Sequence, residues 1–202
     1  MGKTPKTSNE SFDMSTNSVV AYLRRDGSIV SSYIHYDGYE TGVGMTLLEH
    51  YNSDESAEMV SSAGYFSSLS EDMSESLGKS VHTTEADEFA SMEEFEEYLM
   101  ENSHLEFGYL WTGGKWMVAS WTTEVIHAKP FTPEFGDAPR YESTWNGFSW
   151  LVASFVREGR KTVARLRSYG DEYAEYSEIL EEVVDRWHSH GMGEIAREAM
   201  AA

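Results

Sequence analysis

The chain has 202 residues, of which 40% are hydrophobic and 13% aromatic, so it can fold around its own core without a disulfide or a structural metal. It contains no cysteine, which excludes disulfides and thiolate metal sites and is typical of a protein in a reducing compartment. Its formal net charge of -20 argues against direct binding to nucleic acid or to an anionic membrane. The longest apolar runs, such as "FSWLVASFV", are too short for a membrane span.

Most of this charge lies in one segment, residues 26–114. The segment holds nineteen acidic residues and one basic residue, Lys79, a net charge of -18, whereas the remainder of the chain carries -2. A field of one sign speeds encounters with surfaces of the opposite sign. We therefore expect a cationic partner. The alternative interpretation is a solvated face that promotes solubility.

The first half of the chain predicts strands and short helices. Residues 1–16 are polar and are predicted to form a disordered tail. Two β-favouring runs flank Asp26-Gly27, a dipeptide that the tight turns of hairpins prefer, so residues 18–36 predict a β-hairpin. Apolar residues at helical spacing predict a helix over 43–51, and a second short helix is expected at 56–63.

A longer amphipathic helix and a second hairpin follow. Residues 67–87 are acidic and lack apolar periodicity, which predicts a mobile loop. Ser91 and Glu94 have the spacing of a capping box, and Phe95 and Leu99 lie on one apolar stripe of the helix that begins there. Aromatic runs on either side of Gly113-Gly114 then predict the second hairpin.

On the second hairpin, Tyr109 and Trp111 should share one face and Leu110 the other. We expect only one of these sets to be wholly buried, with the exposed remainder available to a partner. The fold class expected from the whole pattern is α+β, with two antiparallel β-hairpins packed with short amphipathic helices in an acidic domain over 17–126 and a helical hairpin after it.

The C-terminal third has a different composition. Three of the four prolines lie between Lys129 and Pro139, which indicates a linker over 127–143. Residues 144–202 are predicted to be helical, with Gly170 between two helices of a hairpin. The five bases between Arg157 and Arg167 are expected to pair with acids of the same hairpin, because the helix after them is strongly acidic.

The stretch "YIHYDGYETGVGMTLLEHY", residues 33–51, is the best candidate for bound-ligand chemistry. His35 and Asp37 would lie on one face of a strand, about 7 Å apart, and His50 follows at the end of the next helix. A small metal-dependent enzyme or ligand-binding protein using His35, Asp37 and His50 is therefore one interpretation. The chain has no G-x-S-x-G, H-E-x-x-H, kinase or P-loop motif, so we predict no catalytic residues and no cofactor.

The same stretch carries a family resemblance. A hairpin leads to an H-x-D-G-Y segment, a glycine, a leucine-rich helix ending in H-Y and a short helix before a serine-leucine turn. The matching positions are His35, Asp37, Gly38, Tyr39, Gly42, Leu47, Leu48, His50, Tyr51, Ser68 and Leu69. Over about its first 120 residues the chain resembles a family of small, mostly uncharacterised proteins encoded by bacteriophages and mobile elements. The resemblance implies a phage origin and brings no catalytic residues. Since the composition indicates a reducing, cytosolic compartment, we expect the host cytoplasm as the location.

Charge and resemblance together predict a non-enzymatic phage accessory protein. Its partner would be a basic host or defence protein, which it inhibits by presenting carboxylates in place of DNA phosphates. The residues expected to carry this binding are acids on and just before the predicted amphipathic helix: Asp87, Glu88, Glu93, Glu94, Glu96, Glu97 and Glu101. A virion or assembly component, with the aromatic C-terminal part as a subunit interface, is a further alternative. No oligomeric state is predicted.

Overall fold

The computed structural model describes residues 15–78, 85–102, 104–127 and 140–201. Within these ranges the elements follow one another as β1 (Ser18–Leu23), β2 (Ile29–Ile34), a π-helical turn (Glu40–Gly44), α1 (Met45–His50), α2 (Asp54–Ser61), β3 (Tyr65–Phe66), α3 (Met73–Gly78), β4 (Asp87–Phe89), α4 (Met92–Glu101), β5 (Phe107–Thr112), β6 (Lys115–His127), β7 (Arg140–Trp150), α5 (Leu151–Tyr169), a 3-10 turn (Asp171–Tyr173) and α6 (Ala174–Ala201). Most of the predicted tail and of the predicted linker, residues 1–14 and 128–139, lies outside the described residues.

Both predicted hairpins are present. Strands β1 and β2 pair antiparallel on either side of Asp26-Gly27, where Gly27 has a φ of 91°. Strands β5 and β6 pair antiparallel on either side of Gly113 and Gly114, whose φ angles are 58° and 77°. Positive φ at these positions is what a two-residue hairpin turn requires and what glycine adopts without strain.

The hairpins belong to one sheet rather than to two separate units. In the described part of the chain seven strands pair in the order β3-β2-β1-β5-β6-β7, with β4 also against β2. The link between the hairpins is a parallel pairing of β1 with β5, in which Ser18 lies opposite Phe107 and Tyr22 opposite Trp111. The fold is therefore mixed α/β with a mixed sheet. The expected arrangement of two hairpins packed with helices is corrected, because the hairpins are joined edge to edge in that sheet.

The C-terminal region begins with a strand. Strand β7 pairs antiparallel with β6, from Arg140 opposite His127 to Trp150 opposite Met117. The expected limits of the linker, residues 127 and 143, thus fall inside strands, and helix begins only at Leu151. The segment "YESTWNGFSW" contains four aromatic residues, which favour strand, but the first three are spaced by four and three residues as on a helix, so the pattern did not reveal this strand.

The sheet has a buried core on each face. Tyr109 and Trp111 of β5 point into the larger core, where they pack with α1, α2, α5 and α6. Leu110 points into a second core, where it packs with Phe95 and Leu99 of α4. The alternation along β5 is as predicted, but the expectation that one set would stay exposed is wrong, because α4 covers the second face.

The predicted helical hairpin is confirmed. Helices α5 and α6 lie against each other, and a Cβ on Gly159 would come within 2.4 Å of the Val184 side chain, so this glycine lets the two helices approach closely. The chain turns between them at Gly170, with a φ of 107°. None of the helices that the structure describes is both long enough and apolar enough to cross a membrane.

The segment expected to be a mobile loop, residues 67–87, contains regular structure. Helix α3 occupies Met73–Gly78, and β4 begins at Asp87. The Asp72 carboxylate accepts hydrogen bonds from the backbone N–H of Ser74 at 2.7 Å and from its hydroxyl at 2.6 Å, and these bonds fix the start of α3. Such short polar helices lack the apolar period on which the prediction depended.

Candidate functional site

Helix α4 is held in place by its cap and by two buried side chains. The Ser91 hydroxyl accepts a hydrogen bond from the Glu94 N–H at 3.3 Å, as the predicted capping box requires. The Glu94 carboxylate accepts from the backbone N–H of Ala90, one residue before the expected one, at 2.6 Å. Phe95 and Leu99 are fully buried against the sheet. Since these two residues fix the inward face of α4, its acidic residues point outward.

A glycine on the sheet allows this close docking. Gly108 of β5 lies beneath Leu99, and a Cβ there would come within 2.9 Å of a Leu99 methyl carbon. A larger residue at this position would force the Leu99 side chain to shift from its place in the core. The acidic helix therefore rests on a specific contact with the centre of the fold.

The glutamates of α4 are arranged as an outward row with two flanks. Glu93, Glu97 and Glu101 follow one another at intervals of four residues, so their side chains point in nearly the same direction at steps of about 6 Å. All three are exposed, and so is the flanking Glu94. The other flanking residue, Glu96, is half-buried. Five carboxylates over eight residue steps place one charge per ~3 Å of helix axis, close to the ~3.4 Å per phosphate along one strand of DNA.

Asp87 adjoins this row, but Glu88 does not. Successive residues of β4 point to opposite faces, and Phe89 points into the core beneath α4. Asp87 lies on the same side of β4 as Phe89. There, burial and the negative charge of Asp87 raise the pKa of Tyr98 on α4. Glu88 points the other way and forms an ion pair with Arg24 at 3.0 Å. The structure thus brings together six of the seven predicted residues and separates Glu88 from them.

These six acids have no paired base in the described structure. Among the described residues, no lysine, arginine or histidine lies within ion-pair distance of Asp87, Glu93, Glu94, Glu96, Glu97 or Glu101. We call this set, without Glu88, the acidic surface. Five of its carboxylates are oriented by helix α4 and one by strand β4, and they are not neutralised by the part of the chain that the structure describes.

The bases of α5, by contrast, are largely used within the helical hairpin, as predicted. Arg157 and Lys161 both bond to Glu158 at 2.9 Å, and Arg167 bonds across to Glu181 of α6 at 3.1 Å. Partial burial raises the pKa of Glu158, but hydrogen bonds from Lys161 and Arg157 outweigh it and lower the pKa below its usual value. These acids contribute to the fold rather than to an open charged surface.

The histidines and aspartate of the 33–51 stretch do not converge. The His35 ring lies 3.2 Å from the Tyr33 hydroxyl, and His50 lies 3.9 Å from a carboxylate oxygen of Glu71. Asp37 accepts a hydrogen bond from the Tyr39 hydroxyl at 3.1 Å. Across the described ranges, no three His, Asp or Glu side chains are grouped as metal ligands. The interpretation of His35, Asp37 and His50 as one metal site therefore finds no support.

This stretch instead shapes the backbone around a buried carboxylate that the sequence did not reveal. Asp37 has a φ of 59°, unusual for a residue other than glycine, and the chain then forms the π-helical turn. The turn buries Glu40, which accepts a hydrogen bond from the Ser154 hydroxyl at 2.9 Å. Arg157 donates to the same hydroxyl at 3.1 Å. No local pattern could indicate a contact between residues so distant in the chain.

No protein-family model matches the chain, and neither a curated protein nor a solved structure is significantly similar to it. The resemblance to proteins of phages and mobile elements stays a prediction.

Proposed function

We propose that this chain is a non-enzymatic accessory protein of phage origin that binds a basic surface of a host or defence protein in the host cytoplasm. That surface is one that otherwise contacts nucleic acid, and the bound chain blocks it. The acidic surface makes the contact, with the row Glu93, Glu97 and Glu101 at its centre.

The observation that carries the proposal is the absence of intramolecular neutralisation on α4 in the described residues. Like charges four residues apart on a helix repel and destabilise it slightly, whereas alternating charges would stabilise it. Helix α4 keeps such a row of like charges on the face opposite its buried residues. It is therefore slightly less stable, but its negative electrostatic field attracts cations. The axial charge spacing, near that of a DNA strand, supports a partner that recognises phosphates.

The proposal is tested by capture from a bacterial lysate followed by competition. The immobilised chain is incubated with nuclease-treated lysate, and bound proteins are eluted either with duplex DNA or with increasing salt. We expect a basic protein that duplex DNA releases, and binding that weakens steeply with salt because the contact is electrostatic. Binding that persists at high salt, or that DNA leaves unchanged, would contradict the proposal.

A matched pair of variants locates the contact. The triple variant E93Q/E97Q/E101Q removes three charges from the acidic surface, and E55Q/E58Q/E71Q removes three charges from exposed positions elsewhere in the acidic segment. With the partner purified, the first variant should bind at least about tenfold more weakly, and the second should change affinity by less than about threefold. An equal loss of affinity in both variants would mean that binding depends on the net charge of the chain and not on the acidic surface.

A further inference from the structure

An apolar strip lies exposed along one edge of α6. Tyr176 is 46% exposed and Ile179 is 53% exposed, and residues three apart on a helix are neighbours on its surface. Val183, one turn further on, continues the same edge and is half-buried. Tyr39 of the π-helical turn, 38% exposed, lies alongside, since Tyr39 and Tyr176 line the same cleft of about 450 Å³. We call these four residues the tyrosine strip.

Tyr176 and Ile179 are not the residues that bury α6 in the core, although Val183 also packs against that core. A separate face of α6 carries Leu180, Val184 and Trp187, which are buried in the larger core. Large apolar side chains that remain exposed side by side mark interaction sites more often than chance exposure does. Tyrosine is also enriched at protein interfaces, where its ring is buried and its hydroxyl finds a polar partner. The strip therefore has the composition of a contact surface.

The two long edges of the strip differ in charge. Glu175 and Glu182 on the outer side of α6, and Glu172 in the 3-10 turn before it, are exposed, and none of them forms an ion pair with another residue of the described ranges. On the α5 side the charges are balanced, because Arg165 and Lys161 line the cleft together with Glu40 and Glu158. A partner that covers the strip would be oriented by this asymmetry, with its basic residues towards α6.

We propose that the tyrosine strip binds an amphipathic helix of a partner protein, with lysine or arginine beside its apolar face. The apolar residues of that helix cover Tyr39, Tyr176 and Ile179, and its basic residues pair with Glu172, Glu175 and Glu182. This is the helix-in-groove mode of recognition, in which apolar anchors give affinity and flanking charges set the direction. The inference takes from the proposed function only the expectation of a basic partner, and it concerns a different surface of the chain.

The test uses two synthetic peptides of equal positive charge. One is an amphipathic helix of leucine and lysine, and the other contains the same number of lysines with serine in place of leucine. Binding to the full-length chain is followed by fluorescence anisotropy of labelled peptide. We expect Y176S/I179S to weaken binding of the leucine-lysine peptide by about tenfold and to leave the serine-lysine peptide unchanged. The second peptide senses charge alone.

A matched variant controls for the loss of exposed apolar area. Met59 and Leu77 are both 49% exposed and lie on α2 and α3, so M59S/L77S removes a comparable area elsewhere. This control should bind the leucine-lysine peptide as the unchanged chain does. Because all four side chains are exposed, both variants should retain the far-ultraviolet circular dichroism and thermal midpoint of the unchanged chain.

Several results would overturn the inference. One is equal affinity of Y176S/I179S and the unchanged chain for the leucine-lysine peptide. Another is an equal loss for both peptides, since the strip would then act through charge alone. A third is self-association by light scattering that Y176S/I179S abolishes, because a second copy of the chain would then cover the strip. The variant E93Q/E97Q/E101Q separates the two proposals. It should weaken the binding of the serine-lysine peptide. Unchanged binding would contradict the proposed role of the acidic surface and would leave the inference about the tyrosine strip unaffected.

Discussion

Helix α4 carries five acids and the α5–α6 hairpin carries ten, and the two sets differ in their surroundings. Glu158 and Glu181 are paired with bases of the same hairpin, and Glu49 of α1 binds Arg186 and Trp187 of α6. The glutamates of α4 have no such partners in the described structure. At these paired positions charge holds helices together, whereas on α4 it is supported by an uncharged anchor and faces outward. The same residue type thus serves stability where helices meet and is available for recognition on α4, as it is at Glu175 and Glu182 of α6.

The largest expected effect comes from removing the anchor of α4. Leu99→Ala deletes a fully buried side chain and should lower the free energy of unfolding by about 2–5 kcal/mol, measured by urea denaturation. Because Leu99 also fixes the direction of the glutamates, the affinity for a basic partner should fall although no charge is lost. An exposed neighbour on the same helix, Met100, is the control, and M100A should change stability by less than about 0.5 kcal/mol. Equal effects would show that α4 is not anchored by this contact.

A smaller effect is expected at Glu158, where the comparison predicts a dependence on pH. The pKa of this carboxyl is lowered in the folded state, so its contribution to stability is present above the usual value of 4.5 and is lost as the pH falls through the folded-state pKa. Because exposed ion pairs are weak, we expect a contribution of at most about 1 kcal/mol. Thermal unfolding of E158Q and of the unchanged chain should differ at neutral pH and converge in acid. A difference that stays constant with pH would contradict this account.

The smallest effect separates the two regions by its sign. Glu97 lies four residues from both Glu93 and Glu101, so Glu97→Gln removes two repulsions and should stabilise the protein by roughly 0.2–0.5 kcal/mol for each pair. Glu181→Gln removes the pair with Arg167 and should destabilise it slightly. Chemical denaturation in urea at low salt measures both. The two differences should shrink at high salt, where charges are screened, and effects of the same sign would remove the distinction between the regions.

Local signals in the sequence predicted much of this structure. The dipeptides Asp26-Gly27 and Gly113-Gly114 located both hairpin turns, and Ser91 with Glu94 located the start of α4. Each of these depends on a few neighbouring residues, whose backbone preferences act wherever the chain is placed. The outward row of glutamates followed from the period of the same helix.

Features that depend on distant residues were not predictable in this way. The parallel pairing of β1 with β5 joins Ser18 to Phe107, and no turn signal marks it. The direction of Glu88 depends on the pairing of β4 with the distant strand β2, and the buried Glu40 is bonded to the distant Ser154. Strand β7 was mistaken for helix because the apolar run that follows it, in α5, extended the helical pattern backwards.

The position of β1 in the sheet has a consequence for synthesis of the protein. One edge of β1 pairs with β2 at once, but the other edge is completed only when β5 has emerged from the ribosome. Until then the growing chain displays an open strand edge, which invites pairing between nascent chains. Nearly all of the acidic segment is made before β5 ends, so the growing chains repel one another during this interval. The same carboxylates that we expect to attract a partner would then keep unfinished copies apart.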